Sequence, residues 1–205
     1  MNLFLTSSAN EVMTDVVRHL PLKPSEYNVA FINTAAEPEP GDHWWVSADK
    51  KSLTDLGFNV DEFTITGLNS SQIEEKLLDK NLIFVAGGNT FYLLDQTIKN
   101  GFDQILKRKI SEGIVYIGSS AGSMIVGKRI DLVCTIDDKS KAPNLKSDGL
   151  GIVDLALLPH WGSPDFKKEY GDGFSDMYCE NVKIIPLSNK QYLWVNGINL
   201  QLVQI

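Results

Sequence analysis

The sequence is poor in the features that mark membrane, nucleic-acid-binding or disulfide-stabilised proteins. Its 205 residues include no run of about 18 apolar residues, the length that a membrane-spanning helix needs. With 19 basic against 26 acidic residues, the net charge of −7 disfavours nucleic acid and anionic membranes as partners. The only two cysteines, Cys134 and Cys179, fit no metal-ligand spacing. We expect two free thiols, with a disulfide as the alternative.

The opening residues, MNLFLTSSANEV, also lack the basic start and the long apolar stretch of a signal peptide. No internal repeat, low-complexity segment or Pro-rich linker divides the chain. We therefore expect a cytoplasmic protein with a single domain over residues 1–205, since this length suits one well-packed domain better than two.

Apolar segments of strand length alternate with amphipathic segments over the first two-thirds of the chain. NLFLTS, YNVAFINTA, FNVDEFTI, NLIFVAGG and IVYIGS predict five strands with helices between them. Strands without alternation of apolar and polar residues are typical of a parallel sheet with helices on both faces. After residue 130, IDLVCTIDD, VDLALLPHW, NVKIIPLS, QYLWVNG and NLQLVQI predict short strands and late hairpins, with a helical region around residues 164–181. The sequence therefore predicts an α/β fold.

Two helix boundaries are marked by single residues. Gly57 predicts the end of the helix ADKKSLTDLG, because a left-handed residue there ends a helix at little cost. Ser71 and Glu74 have the spacing of a capping box and predict the start of the helix SSQIEEKLLDK.

The segment GSSAG, residues 118–122, matches the pattern G-x-S-x-G between a predicted strand and a predicted helix. A nucleophile in this sharp turn has a strained backbone, and its neighbours two residues away must be nearly free of side chain. The pattern selects Ser120 as the nucleophile over Ser119 and Ser123. The alternative is a Gly/Ser-rich helix start without chemistry.

A serine hydroxyl needs a base, and the chain has only three histidines. His19 ends an amphipathic helix, and His43 lies in the polar stretch EPEPGDHWW. His160 follows the apolar run LALLP, so it lies at the carboxyl end of a strand, as Ser120 does. We therefore expect His160 to be the base.

The third group, which orients the histidine, cannot be chosen from the residues alone. Asp137 and Asp138 lie between the serine and the histidine in the chain, and Glu169 and Asp172 follow the histidine. All four stay open at this point.

The segment FVAGGNTFYLL brings a second predicted strand to its end at Gly87 and Gly88. A Gly-Gly pair allows a backbone amide to approach a substrate closely. The alternative is a tight turn in which Asn89 or Thr90 caps the next helix. The two interpretations are compatible.

These segments together resemble the peptidase E family of serine peptidases. LFLTSS, FVAGGNTFYLL, YIGSSAGS and LLPHW occur in the family's order and cover about residues 3–162. The resemblance implies a fold similar to the class I glutamine amidotransferases, with a serine in place of their cysteine. It also implies cleavage of small peptides without a metal or an organic cofactor.

The resemblance also implies roles for individual residues. Ser120 matches the nucleophile and His160 the base, while the amides of Gly88 and Ala121 match the oxyanion donors, with Asn89 beside them. For the third group, one family assignment points to Asp138, with Asp137 close by. Another assignment points to a late segment that here, in IIPLSNKQYLWV, offers Asn189 and no acid.

One departure from the family concerns its specificity. Family members that prefer an N-terminal aspartate resemble each other in an arginine after the histidine, whereas residues 163–181 contain only Lys167 and Lys168 as basic residues. We expect a serine peptidase of short peptides without a preference for aspartate, as a monomer or a small homo-oligomer. The alternatives are a hydrolase of a non-peptide ester or amide, and an inactive domain that binds a small molecule.

Overall fold

The structure is a computed structural model that describes residues 1–146, 148–173, 175 and 181–205. Its elements alternate between strands and helices in the first two-thirds of the chain, as the hydrophobic pattern predicts. The strands are β1 Asn2–Thr6, β2 Asn28–Ile32, β3 Asn59–Phe63, β4 Leu82–Val85, β5 Val115–Ser119, β6 Ala156–Leu158, β7 Ile184–Pro186, β8 Gln191–Asn196 and β9 Asn199–Gln204. The α-helices are α1 Ala9–Val16, α2 Trp44–Asp55, α3 Ser70–Lys76, α4 Thr90–Lys99, α5 Phe102–Ser111, α6 Ala121–Ile125 and α7 Lys167–Gly173.

The central sheet has seven strands in the order β3-β2-β4-β5-β1-β8-β9. The first five strands of the chain are parallel to their neighbours, whereas β8 runs antiparallel to β1 and forms a hairpin with β9. The predictions of a mainly parallel sheet and of a late hairpin are therefore confirmed. Strands β6 and β7 form a separate parallel pair rather than a second hairpin.

Helices cover both faces of the sheet, because alternate residues of each central strand point to opposite sides. In β1, Leu3 and Leu5 pack with α3, α4, α5 and α6 on one face, and Phe4 packs with α1 and α2 on the other. All three side chains are fully buried. This confirms the α/β architecture with helices around the sheet.

The structure corrects two local predictions. IDLVCTIDD is not a strand: Asp131–Val133 form a 3₁₀ turn, and the amides of Ile136 and Asp137 bond back to the carbonyl of Val133. These local bonds replace the partner strand that an extended segment would need. The capping box of α3 is made by Asn69 and Gln72 instead of Ser71 and Glu74. The side chain of Asn69 accepts from the backbone amide of Gln72, and the side chain of Gln72 accepts from the backbone amide of Asn69.

Other predicted boundaries agree with the structure. Helix α2 ends at Asp55, followed by Gly57 with φ of +92°, and Gly101 separates α4 from α5. The helical region around 164–181 begins with a 3₁₀ turn at Pro164–Phe166 and continues as α7. Residues 174 and 176–180 of that prediction lie outside the described residues.

Cys134 carries a free, exposed thiol, and Cys179 lies outside the described residues. Across the described ranges, no helix combines the length and the apolar character that crossing a bilayer requires.

The strand order brings several loops to one edge of the sheet. β1 lies between β5 and β8, with Thr6 paired to both Ser119 and Tyr192. Because β8 is antiparallel to β1, the loop before β8 lies at the same edge as the loops that follow β1 and β5. Open α/β sheets bind ligands at this carboxyl edge.

The rings of Phe31 and Phe84 stack in the core, with centroids 4.8 Å apart and planes at 7°. Both side chains are fully buried, so we expect Phe31→Ala to lower the free energy of unfolding by about 3–5 kcal/mol through lost contacts and a cavity. Urea unfolding followed by circular dichroism measures this change. Leu78→Ala is the control, because Leu78 is 79% exposed and its loss should cost under about 0.5 kcal/mol. Equal effects of the two substitutions would contradict the prediction.

Candidate active site

Ser120 lies in the sharp turn between β5 and α6, with φ of 48° and ψ of −109°. A non-glycine residue rarely adopts a positive φ, and such strain persists only where the surrounding structure holds it. The glycines on either side allow this turn. A Cβ on Gly118 would lie 2.6 Å from the carbonyl carbon of Gly122, and a Cβ on Gly122 would lie 2.1 Å from the carbonyl oxygen of Val85. The pattern G-x-S-x-G therefore has a steric cause here.

The end of β1 holds this turn in place. The amide of Ser120 donates to the carbonyl oxygen of Thr6 at 3.0 Å, and the hydroxyl of Ser123 donates to the same oxygen at 2.7 Å. The hydroxyl of Ser119 accepts from the amide of Ala9 at 3.2 Å. Ser119 and Ser123 are thus bonded to the backbone, away from the position of Ser120.

His160 is the side chain that meets Ser120: its Nε2 lies 3.0 Å from Ser120 Oγ. The residue itself has a positive φ of 59°. The ring of Phe166 stacks on the imidazole, with centroids 4.8 Å apart and planes at 22°. The other histidines lie elsewhere, since His19 contacts Asp15 and His43 contacts the carbonyl of Glu39.

Asn189 is the partner of the second ring nitrogen, with 2.8 Å between its Oδ1 and His160 Nδ1. The structure corrects the expectation that Asp138 orients the ring. The Asp138 carboxylate is exposed and accepts a hydrogen bond from the amide of Ser140 at 2.9 Å, so it caps a local turn. The Asp137 carboxylate accepts from the amide of Thr90 at 2.8 Å.

Glu169 and Asp172, the other two carboxylates left open by the sequence, lie on α7. Neither is among the hydrogen-bond partners of the His160 ring within the described part of the chain. The neutral side chain of Asn189 therefore occupies the position that a carboxylate would take in a Ser-His-Asp arrangement.

Ser7 is a residue of the site that sequence reasoning missed. Its hydroxyl accepts a hydrogen bond from the backbone amide of His160 at 2.6 Å and donates to Asn189 Oδ1 at 3.1 Å. The signal available in the sequence was its place directly after β1, at the same edge of a parallel sheet as the residue after β5.

Burial lowers the pKa of His160 below its ordinary value of 6.5, although the hydrogen bond that the ring donates to Asn189 and the charges of Glu11 and Asp165 act in the opposite direction. The imidazole is therefore neutral at pH 7. A neutral ring with its Nε2 beside a serine hydroxyl can accept the hydroxyl proton.

The two residues predicted to supply oxyanion donors lie near the nucleophile, since Gly88 lines the same cavity and Ala121 follows Ser120 in the chain. Gly88 has φ of 142°, and a Cβ there would lie 2.2 Å from the carbonyl oxygen of Ala35, so only glycine fits. A Cβ on its neighbour Gly87 would lie 3.2 Å from Ser120 Cβ, which places this loop against the nucleophile. Ala121 begins α6, where a first-turn amide has no partner within its helix.

Asn89 does not face the nucleophile as a substrate-binding side chain. It is fully buried, and its Oδ1 accepts from the amide of Tyr92 at 3.0 Å, so it caps α4. Its Nδ2 donates to the carbonyl oxygen of Asp138 at 3.2 Å. The Asn89 side chain therefore acts as the helix cap that the sequence offers as one interpretation of this turn.

Ser120 and His160 face a cavity of about 350 Å³. Trp45 forms part of its wall and donates from Nε1 to the carbonyl oxygen of Gly87 at 3.1 Å, while Trp44 is 64% exposed at the same cavity. The described residues that line the cavity include five carboxylates and no Lys or Arg. These carboxylates belong to Glu11, Glu39, Asp49, Asp137 and Asp165.

Burial affects the pKa of two of these carboxylates. Burial raises the pKa of Asp49 to about 6, although the amide of Asn10 donates to it. Burial likewise raises the pKa of Asp137 to about 6. Among the described residues, no group of three His, Cys, Asp or Glu side chains is arranged to hold a metal ion.

Comparison with known proteins places the chain among peptidases. The profile of peptidase family S51 matches residues 3–203. The chain is 36% identical over 200 residues to an uncharacterized peptidase of Listeria monocytogenes, and the alignment covers 96% of this chain and 95% of the relative. It is 26% identical over 192 residues to peptidase E of Haemophilus influenzae, and the alignment covers 90% of this chain and 84% of that protein.

Solved structures agree with the fold. A crystal structure of a Listeria monocytogenes protein, proposed to be a peptidase E, has a TM-score of 0.91 and 33% identity over 100% of this chain and 98% of that one. A peptidase from an acI-B1 actinobacterium has a TM-score of 0.72 over 100% of this chain and 87% of that one, and at 17% identity this likeness shows the fold alone.

We expect the pKa of the His160 imidazole to lie below 6.5, because the ring is buried. In Asn189→Asp, the midpoint of its titration should rise by about one pH unit or more, because a carboxylate in contact favours the charged ring. Proton NMR of the ring C2–H signals measures the midpoint, and His19→Gln and His43→Gln assign the signals. Asn196→Asp makes the same change at the other end of β8 and should leave the midpoint unchanged. A midpoint at or above 6.5 in the unsubstituted protein would contradict the prediction.

Proposed function

The chain belongs to peptidase family S51, and we propose that it hydrolyses short peptides by a serine mechanism, with Ser120 as nucleophile and His160 as base. The observation that carries this proposal is the 3.0 Å contact between Ser120 Oγ and His160 Nε2 at the cavity. The similarity to proteins named peptidase E supports peptide bonds as the substrate class.

In the first half of the reaction, Ser120 Oγ attacks the scissile carbonyl carbon while His160 Nε2 takes the hydroxyl proton. The carbonyl oxygen becomes negatively charged in the tetrahedral intermediate. The backbone amides of Gly88 and Ala121 would donate to this oxygen. Fixed donors of this kind stabilise the transition state because they need no reorganisation.

Collapse of the intermediate breaks the C–N bond, and His160 gives its proton to the leaving amine. Water then attacks the acyl ester on Ser120, with His160 again taking a proton and returning it to the serine oxygen. Each time His160 becomes charged, the Asn189 oxygen 2.8 Å from Nδ1 accepts the hydrogen bond that steadies the ring. Asn189 supplies a dipole and no negative charge, so this stabilisation is weaker than that of a carboxylate.

The charges of the cavity bear on the preferred substrate. Among the described residues, five carboxylates and no Lys or Arg line it, so the free α-ammonium group of a short peptide is favoured there. An acidic side chain at the cleaved bond would be repelled, and the described lining residues offer no Lys or Arg to pair with it. We therefore propose short peptides with a neutral or basic first residue.

Ser120→Ala should lower kcat/KM for peptides by at least about 10⁴-fold, because no other group replaces the nucleophile. Cleavage of a short-peptide library, read by mass spectrometry, measures this loss. A fluorophosphonate probe should label Ser120 and fail to label the variant. Ser111→Ala, which removes an exposed hydroxyl on α5, is the control and should retain full activity.

The same experiment separates the alternatives. Cleavage that continues unchanged in Ser120→Ala would contradict the proposal. Labelling of Ser120 without cleavage of any peptide would favour a hydrolase of non-peptide esters or amides. Folded protein that resists every serine-reactive probe would favour an inactive binding domain.

Aminoacyl p-nitroanilides of Asp, Asn and Lys test the proposed charge preference. We expect kcat/KM for the Asn and Lys substrates to exceed that for the Asp substrate by at least about 10-fold, since like charges in a partly desolvated cavity repel strongly. Asp137→Asn should narrow this difference, whereas Asp55→Asn, the same change at an exposed position on α2, should not. Faster hydrolysis of the Asp substrate would contradict the prediction.

A further inference from the structure

We propose that Ser7 is a positioning residue whose buried hydroxyl makes Asn189 present its carbonyl oxygen to His160, which leaves the Nε2 lone pair of the imidazole facing Ser120. The inference deepens the proposed function and rests on it, because it concerns the protonation of the proposed base.

An asparagine next to a catalytic histidine is ambiguous. Its side chain has a carbonyl oxygen at one end and an NH₂ group at the other, and either end can face the ring. When an amide replaces the aspartate of a serine protease triad, the histidine takes the wrong tautomer and kcat falls about 10⁴-fold. A site that uses Asn189 therefore needs something that fixes which end of the amide faces the ring.

Ser7 is placed to do this. It is fully buried directly after β1, and its Oγ lies 3.1 Å from Asn189 Oδ1 and 3.4 Å from His160 Nδ1. The backbone amide of His160 donates to the same Oγ at 2.6 Å. The strand order explains the position, since β1 lies between β5, which leads into Ser120, and β8, which follows Asn189.

The number of hydrogens available at Ser7 and Asn189 determines which ring nitrogen of His160 is protonated. A serine hydroxyl has one hydrogen to donate, and the amide of His160 already occupies a lone pair of Ser7 Oγ. The shorter of the two remaining contacts gives this hydrogen to Asn189 Oδ1. The contact between Oδ1 and Nδ1 at 2.8 Å then requires a hydrogen on Nδ1, since Oδ1 can only accept. In a neutral imidazole, Nε2 is then free of hydrogen and can accept the proton of Ser120.

The reversed amide is disfavoured by the same count. If the Asn189 NH₂ group faced the ring, it would donate to Nδ1 and force the hydrogen onto Nε2. The hydroxyl hydrogen of Ser7 would then have only Nδ1 as an acceptor, at 3.4 Å, and the lone pair of Nδ1 would already accept from the NH₂ group. Folded proteins avoid a buried donor in this state. Within the described residues, no acceptor bonds to Asn189 Nδ2, so Ser7 is the group that selects the orientation.

The test is a double-mutant cycle between Ser7→Ala and Asn189→Asp. A carboxylate has only acceptors, so it needs no residue to orient it. We expect Ser7→Ala alone to lower kcat by about 10- to 100-fold and to change KM by less than about two-fold. This loss of kcat is smaller than the one of about 10⁴-fold that accompanies a histidine held entirely in the wrong tautomer. In the Asn189→Asp background, Ser7→Ala should lower kcat by less than about three-fold, which is the non-additivity expected of coupled residues.

The ¹⁵N chemical shifts of the His160 ring provide a readout that is independent of hydrolysis. They distinguish a protonated from an unprotonated nitrogen, and three histidines make a spectrum that is simple to assign. We expect hydrogen on Nδ1 in the unsubstituted protein and a mixture of both tautomers in Ser7→Ala. If the proposed serine mechanism fails while these shifts are found, the role of Ser7 in setting the tautomer still stands.

Thr97→Val is the control for loss of a buried hydroxyl, because Thr97 is buried on α4 away from the cavity. It should leave kcat and the ¹⁵N shifts unchanged.

If Ser7→Ala does not fold, Ser7→Cys replaces the hydroxyl by a weaker donor of similar size and should shift the tautomers in the same direction. An equal loss of kcat from Ser7→Ala in both backgrounds, or hydrogen on Nε2 in the unsubstituted protein, would overturn the proposal.

Discussion

The carbonyl oxygen of Thr6 accepts hydrogen bonds from the Ser120 amide and the Ser123 hydroxyl, and the next residue, Ser7, bonds to both His160 and Asn189. Two consecutive residues at the end of β1 therefore join segments that lie more than 110 positions away in the chain. This end of β1 is buried in the middle of the sheet, where neighbouring strands restrict its movement. The geometry of the site thus depends on the correct order of β5, β1 and β8.

Much of the fold could be predicted, because its signals are local. Strands β4 and β5 are continuous apolar runs of the right length, and strands buried on both faces need that composition. The sharp turn at Ser120 could be predicted for a similar reason, since close backbone contacts at Gly118 and Gly122 leave no room for a side chain. The position of His160 after an apolar run placed it at the edge where Ser120 also lies, and the structure brings their atoms to 3.0 Å.

The parts that sequence did not predict depend on contacts between distant segments. One family assignment points to Asp138, but its carboxylate caps a local turn. The loop before β8 instead brings to the ring Asn189, the residue at the position of the other assignment. Ser7 carried no chemical signal of its own, because its partners are set by strand pairing. The segment 130–138 has the composition of a short strand, yet its amides find local acceptors and its apolar side chains pack without a partner strand.

A neutral third residue also changes how the charge on His160 is balanced. The carboxylates that act on the imidazole are those of Glu11 and Asp165, and both are exposed at the rim of the cavity. Their influence passes partly through solvent, where counterions screen it over a Debye length of about 8 Å at physiological ionic strength. A contacting carboxylate would be shielded from such screening. We therefore expect dissolved salt to weaken this minor contribution to the charged form of His160, whereas burial, the largest influence on the pKa of its imidazole, is not screened by counterions.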